Sequence, residues 1–209
     1  INGIDPIAFI EPYISLWCPQ SLAYLSSKVP LPKAGMQCFT FTRSIKKYGE
    51  DIDRFTNFKK NGDELWWYIC CSPQAPFPNF FFWYQGVAVR MVLWQQYMFD
   101  IDGLLYYATN VGWEHITRNR FGISEGGNGD GLLLYAGEMF GGFGPVASWR
   151  LTQIRDGFDD FDYMRIAEQI AGRDAVMKAV NSVTTSVLEY SEDYRDMEAA
   201  REAIAKLIV

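Results

Sequence analysis

Three adjacent acidic pairs are the first places to look for acid–base chemistry in this chain: Glu50-Asp51, Asp63-Glu64 and Glu192-Asp193. Carboxyl pairs whose environments separate their pKa values are a common means of hydrolysis. Each pair has a plainer reading. Asp63-Glu64 precedes an apolar run, the N-terminal end of a strand, where barrel residues serve stability. Glu50-Asp51 opens a predicted helix, where acids suit the dipole. Glu192-Asp193 falls in the tail. No catalytic residue is assigned. The sole histidine, His115, argues against a histidine triad or a His-rich metal site. The four cysteines, Cys18, Cys38, Cys70 and Cys71, contain no CxxC, and neighbours 70 and 71 should point to opposite faces of a strand. Unbridged thiols are expected, with no metal and no cofactor.

The second candidate chemistry is sugar binding. Aromatics make up 16% of the residues, with seven Trp and fifteen Phe, and many fall near the predicted ends of strands. A ring packs on the flat apolar face of a pyranose while amides and hydroxyls at the rim meet its hydroxyls. Trp17, Tyr68, Tyr107, Asn110, Trp113 and Tyr135 are such candidates, and Asn79 after Pro78 is another. A large aromatic core is the competing explanation. Asp130, between two glycines, reads as turn chemistry. Arg90, Arg150 and Arg155, paired with Asp156 or Asp160, read as structural. Gly142 to Ala147 matches a loose GxGxxA before a helix. Pro145 removes one amide that a phosphate would need, and no Lys-Ser/Thr follows. A glycine-rich barrel loop is preferred over a phosphate site there.

These residues need elements to hold them. Four short apolar runs, Tyr13 to Trp17, Leu65 to Cys71, Gly103 to Tyr107 and Gly131 to Tyr135, lack strict alternation. That marks strands covered on both faces, as in parallel sheets. Helical patterns follow over Asp51 to Asn61, closed by Gly62, and over Val87 to Phe99. A third, Val146 to Ile170, is entered through Pro145 and interrupted at Gly157. Strand alternating with helix argues α/β, with the site on loops leaving the C-terminal ends of the strands. The long loop from Thr109 to Asn128 adds weight to Asn110 and Trp113. Asp174 to Leu188 and Tyr194 to Val209 read as two helices with no strand between them.

The net charge of −6, without a basic stripe, makes nucleic acid a poor partner. No apolar run is long enough to span a membrane. Four βα units make half of a barrel, since a full one takes about 250 residues. The start at Ile1 and not Met leads to the expectation that an N-terminal half of the same barrel precedes this chain.

The order of motifs adds a resemblance. Leu65-Trp66-Trp67-Tyr68-Ile69-Cys70-Cys71-Ser72-Pro73, then Pro78-Asn79-Phe80, resembles the WWY…C…P…PN stretch of the bacterial DUF4091 family. Arg90-Met91-Val92-Leu93-Trp94-Gln95-Gln96-Tyr97 and Gly103-Leu104-Leu105-Tyr106-Tyr107, with Asn110 and Trp113, continue it. So do Gly129 to Tyr135, Ser148-Trp149-Arg150-Leu151 and Arg155 to Met164. The family includes glycoside hydrolase family 123, β-N-acetylgalactosaminidases with a (β/α)8 catalytic domain. Two positions depart from its pattern: Tyr135-Ala136 stands for the usual Tyr-Pro, and Tyr107 for a Trp. The resemblance implies the C-terminal half of a TIM-type barrel, strands five to eight, over residues 1–172, with a helical extension over 173–209 packed on it. It implies substrate-assisted retaining hydrolysis of an N-acetylhexosamine-containing glycan, and a periplasmic or secreted location. The family's catalytic Asp-Glu pair belongs to the end of the fourth strand and has no counterpart in this chain. The alternative is a non-catalytic carbohydrate-binding or scaffold protein of barrel fold.

Overall fold

The computed structural model describes residues 6–24, 52–111, 113 and 129–209. Three of the four apolar runs form one parallel sheet in the order β1 (Leu16–Trp17), β2 (Glu64–Ile69), β3 (Gly103–Tyr106). Trp17 is level with Leu65, and Trp66 to Ile69 with Gly103 to Tyr106. Helix α1 (Pro6–Ile10) precedes β1, α2 (Ile52–Lys60) precedes β2, and α3 (Gly86–Met98) lies between β2 and β3. Gly62, at φ +100°, takes the left-handed turn after α2 that its position predicted.

Alternation along β2 separates two faces. Leu65, Trp67 and Ile69 are buried against Phe55 and Phe58 of α2 and Val89, Val92 and Leu93 of α3. The opposite face carries Leu16, Trp66, Tyr68, Leu105 and Tyr107, and it is open: Leu105 is 46% and Tyr107 68% exposed. Trp66 lies across Gly103 so closely that a Cβ there would overlap its ring.

The fourth run departs from expectation. β4 (Leu134–Ala136) pairs antiparallel with β5 (Pro145–Ala147), and Leu132 bridges Asn110, also antiparallel. Gly141 and Gly144, both near φ +75°, let the chain reverse between them, which seats Pro145 in a strand and not in a helix. The long helix α4 (Trp149–Ala171) instead starts behind Ser148, whose Oγ accepts the Leu151 N–H at 3.3 Å. Gly157 does not break α4. A Cβ there would sit 3.1 Å from Leu93, so the glycine marks the close approach of α4 to α3.

In the tail, α5 (Arg173–Val180) is shorter than predicted and α6 (Tyr194–Ala205) closes the chain. Between them Thr184 bridges Tyr190, and the Thr184 hydroxyl donates to the carbonyls of Ser186 and Glu189. The β-branched run Val183-Thr184-Thr185 favours such local bonding over helix. Val176, Val180, Met197 and Ile204 pack with Met164 of α4 and with Met91, Trp94 and Tyr97 of α3.

One carboxylate joins these helices. Asp160 is 1% exposed and receives Arg90 through both Nε and Nη2, the indole Nε1 of Trp94 at 2.9 Å, and Nε of Arg201 at 2.8 Å. Removing one member of a buried ionic group leaves the rest desolvated without compensation. Asp160→Ala should therefore lower the unfolding free energy by about 3–5 kcal/mol in a denaturant titration. A loss below about 1 kcal/mol, the range of an exposed pair, would contradict this account.

Candidate functional site

The C-terminal ends of β2 and β3 are where a site would form in a parallel α/β fold. The chain leaves β2 through Cys70, buried, and Cys71, exposed; both lie past the strand's end at Ile69, so the alternation that was expected to part them does not extend to them. Their sulfurs are 3.7 Å apart, and Cys18, Cys70 and Cys71 form no disulfide. The following loop turns through cis bonds at Ser72-Pro73 and Ala75-Pro76. Asn79 holds it: its Nδ2 donates to the carbonyls of Cys70 at 2.9 Å and Pro73 at 2.7 Å, and its Oδ1 accepts the Phe80 N–H. Asn79 is fully buried, and its amide is used on backbone.

The expected sugar-binding residues divide by location. Tyr68 is half-buried on the open face of the sheet, and Tyr107 is exposed just past β3. Burial, helped by a hydrogen bond with Cys70, raises the Tyr68 hydroxyl above its ordinary range. Asn110 is exposed beside Leu132. Trp113 donates its indole N–H to the Leu134 carbonyl at 2.8 Å, at the root of the β4–β5 hairpin. Tyr135 is partly buried; its hydroxyl accepts from Arg150 at 3.4 Å, and its ring meets Phe140 edge-on. Phe143, at the hairpin tip, is 99% exposed. Trp17 lies elsewhere. Its ring stacks on Phe58 at 4.3 Å, its Nε1 donates to Asp63 at 2.8 Å, and its register with Leu65 sets it near the opposite end of β2. Residues 114–128, which make most of the long loop that drew attention to Trp113, lie outside the described residues, as do His115, Cys38 and the Glu50-Asp51 pair.

Sequence reasoning passed over the best-organised group here. Asp130 occupies a turn between Gly129 (φ +71°) and Gly131 (φ +72°). Its Oδ1 accepts from the Tyr106 hydroxyl at 3.2 Å, and that hydroxyl accepts the Gly131 N–H at 2.8 Å. The backbone N–H of Cys71 also donates to the carboxylate. Arg150, fully buried, donates to the carbonyls of Gly129, Leu132 and Phe80. Burial nevertheless raises the Asp130 carboxyl above its ordinary range, against the pull of these donors and of Arg150. The only sequence signal for this was Gly-Asp-Gly, which predicts a turn and says nothing of what surrounds it.

Two members of the acidic pairs, Asp63 and Asp193, serve structure. Asp63 accepts from Trp17, and Asp193 caps α6 by accepting the Arg195 N–H at 2.9 Å. Among the described residues no group of His, Cys, Asp and Glu is arranged to hold a metal ion. An apolar hollow of about 390 Å³ lies between α1 and β1, lined by Ile7, Ile10, Leu16, Trp17, Leu22 and Phe55 among others.

The family model described as "Glycoside hydrolase 123, catalytic domain" matches residues 32–167, well over half of the chain. No curated protein matches it.

The bonding of Asn79 sets its expected behaviour. Asn79→Ala orphans two buried carbonyls and one buried N–H, at about 1–3 kcal/mol for each group left unsatisfied. The midpoint of thermal unfolding should fall markedly. An unchanged midpoint would mean that water or a moved side chain replaces the amide.

Proposed function

The chain belongs to the glycoside hydrolase 123 catalytic-domain family, and we propose that it forms the C-terminal half of a (β/α)8 barrel whose strand ends line part of a sugar cleft. The family match carries the reading. The open sheet face supports it, because parallel strands are stable when both faces are covered. Leu16, Trp66, Tyr68, Leu105 and Tyr107 form one apolar surface that further barrel strands would enclose. Residues 1–172 make the barrel half, and 173–209 the helical extension.

The substrate in this reading is a glycan ending in N-acetylgalactosamine, cleaved with retention. The 2-acetamido oxygen of the sugar attacks the anomeric carbon, a Glu protonates the leaving oxygen, and an Asp orients the acetamido group. In this reading the acid pair belongs to the fourth strand, in the other half of the barrel; among the described residues Asp63 and Asp193 are engaged structurally. It contributes binding. Tyr107 and Trp113 offer ring faces, Asn110 offers an amide that both donates and accepts, and Tyr68 and Tyr135 offer hydroxyls. Trp17 and Asn79 belong to packing and loop support.

Two measurements test the reading. The purified chain should not hydrolyse an aryl N-acetyl-β-galactosaminide, because general acid catalysis contributes on the order of 100- to 10,000-fold. Robust turnover by the chain on its own would refute the division of labour. In a protein that carries the acid pair, Trp113→Ala and Asn110→Ala should each lower kcat/KM by at least about tenfold, or roughly 1.4 kcal/mol of transition-state binding. Thermal stability should change little. Wild-type kinetics in both variants would refute the site assignment, and loss of the fold in Trp113→Ala would make that residue a packing residue.

A further inference from the structure

Cys70 and Cys71 stand just past β2, which ends at Ile69. Side chains of neighbouring strand residues point to opposite faces. Beyond the strand end the two sulfurs instead meet at 3.7 Å, in van der Waals contact. The chain curls to allow this: the Cys70 N–H donates to the Ser72 carbonyl at 3.0 Å. Neither cysteine is in a disulfide. They differ in access. Cys71 is exposed, whereas Cys70 is buried, with the Tyr68 hydroxyl hydrogen-bonded to its side chain. An accessible thiol with a sheltered one beside it is the arrangement of an attacking and a resolving cysteine.

The peptide that links the pair is held at both of its polar atoms. Its carbonyl, that of Cys70, accepts from Asn79 Nδ2 at 2.9 Å. Its N–H, that of Cys71, donates to the Asp130 carboxylate. A bridge between neighbours would close a ring through this same peptide. Adjacent Cα atoms are about 3.8 Å apart, whereas an ordinary bridge spans about 4.4–6.8 Å between Cα atoms. Such a ring is strained and readily reopened by a thiol. Closing it also draws the sulfurs from 3.7 Å to about 2.05 Å, so the peptide must rotate against the partners that hold it.

We propose that Cys70 and Cys71 are a modification site, a vicinal dithiol that a low-molecular-weight disulfide such as glutathione disulfide oxidises to a reversible bridge, loosening the loop held by Asn79. The Cys71 sulfur gives up its proton and attacks one sulfur of the disulfide, which expels a thiolate and leaves a mixed disulfide on Cys71. The Cys70 sulfur, deprotonated in turn, attacks the Cys71 sulfur and expels the second thiolate. The protein loses two hydrogens, and one disulfide becomes two thiols. This chemistry is independent of any sugar, and it acts at the strand ends where the glycosidase reading puts the cleft.

The test is mass mapping of the reduced chain after exposure to glutathione disulfide, with remaining thiols blocked by N-ethylmaleimide before digestion. The peptide that holds Cys70 and Cys71 should be lighter by two hydrogens, with neither cysteine blocked, and dithiothreitol should restore both thiols. Cys70→Ser should stop at a glutathione adduct on Cys71, since nothing is left to resolve it. Cys71→Ser should leave Cys70 as a thiol. In the bridged wild type the Phe80 amide, which donates to Asn79 Oδ1, should exchange with solvent at least about tenfold faster than in the reduced protein, as when one ordinary hydrogen bond is lost. Both cysteines blocked after exposure, a lasting glutathione adduct on wild-type Cys71, or a bridge from either residue to Cys18 or Cys38 overturns the site. A Cys70–Cys71 bridge with unchanged Phe80 exchange overturns its link to the loop. The wild-type map decides even where a serine variant fails to fold.

Discussion

Helix α3, Gly86–Met98, is buried from Val87 to Tyr97 at every position but Arg90. That constraint arranges the molecule. Val89, Val92 and Leu93 occupy one side and require the sheet. Met91, Trp94 and Tyr97 occupy another and require α4, α5 and α6. Its polar groups then have to be satisfied in place. Gln95 donates to Thr184 and Ser186, which pins the irregular segment between α5 and α6. Arg90 and Trp94 converge on Asp160, which brings α4 into register. Burying a helix completely makes its few polar atoms choose their neighbours.

The same logic operates at the strand ends with a different outcome. Arg150 enters from α4, is buried, and spends its guanidinium on carbonyls of three separate segments: the loop after β2, the Asp130 turn and the entry to β4. The loop that carries the aromatics of β2 and the hairpin that carries Tyr135 therefore share one anchor. A cleft assembled from loops gains precision when its loops are tied to a rigid helix in this way.

Period and punctuation in the sequence located the first three strands, α3 and the turn at Gly62, because those elements follow local rules. Three features escaped because they depend on partners distant in sequence. Pro145 looked like the first residue of a helix, but the reversal at Gly141 and Gly144 gave it a strand partner, and Ser148 took over as cap. Gly157 looked like a helix break, and only the nearness of Leu93 shows what the missing side chain is for. Trp17 looked like a strand-end platform, but a two-residue strand does not reveal its register, and register with Leu65 carries it toward Asp63. At the site, Gly-Asp-Gly announced a turn, whereas the tyrosine and arginine that lock it come from 24 and 20 residues away along the chain.

The indole of Trp66 lying across Gly103 has an evolutionary corollary. Along the open face of the sheet, one residue occupies the space of two, so neither position is free to change by itself. A side chain at 103 demands a smaller residue at 66, and a smaller residue at 66 uncovers backbone at 103 until a side chain arrives to cover it. Among descendants of a common ancestor these two sites should therefore drift as a couple, in opposite directions of size, while the total volume over that patch of sheet stays constant.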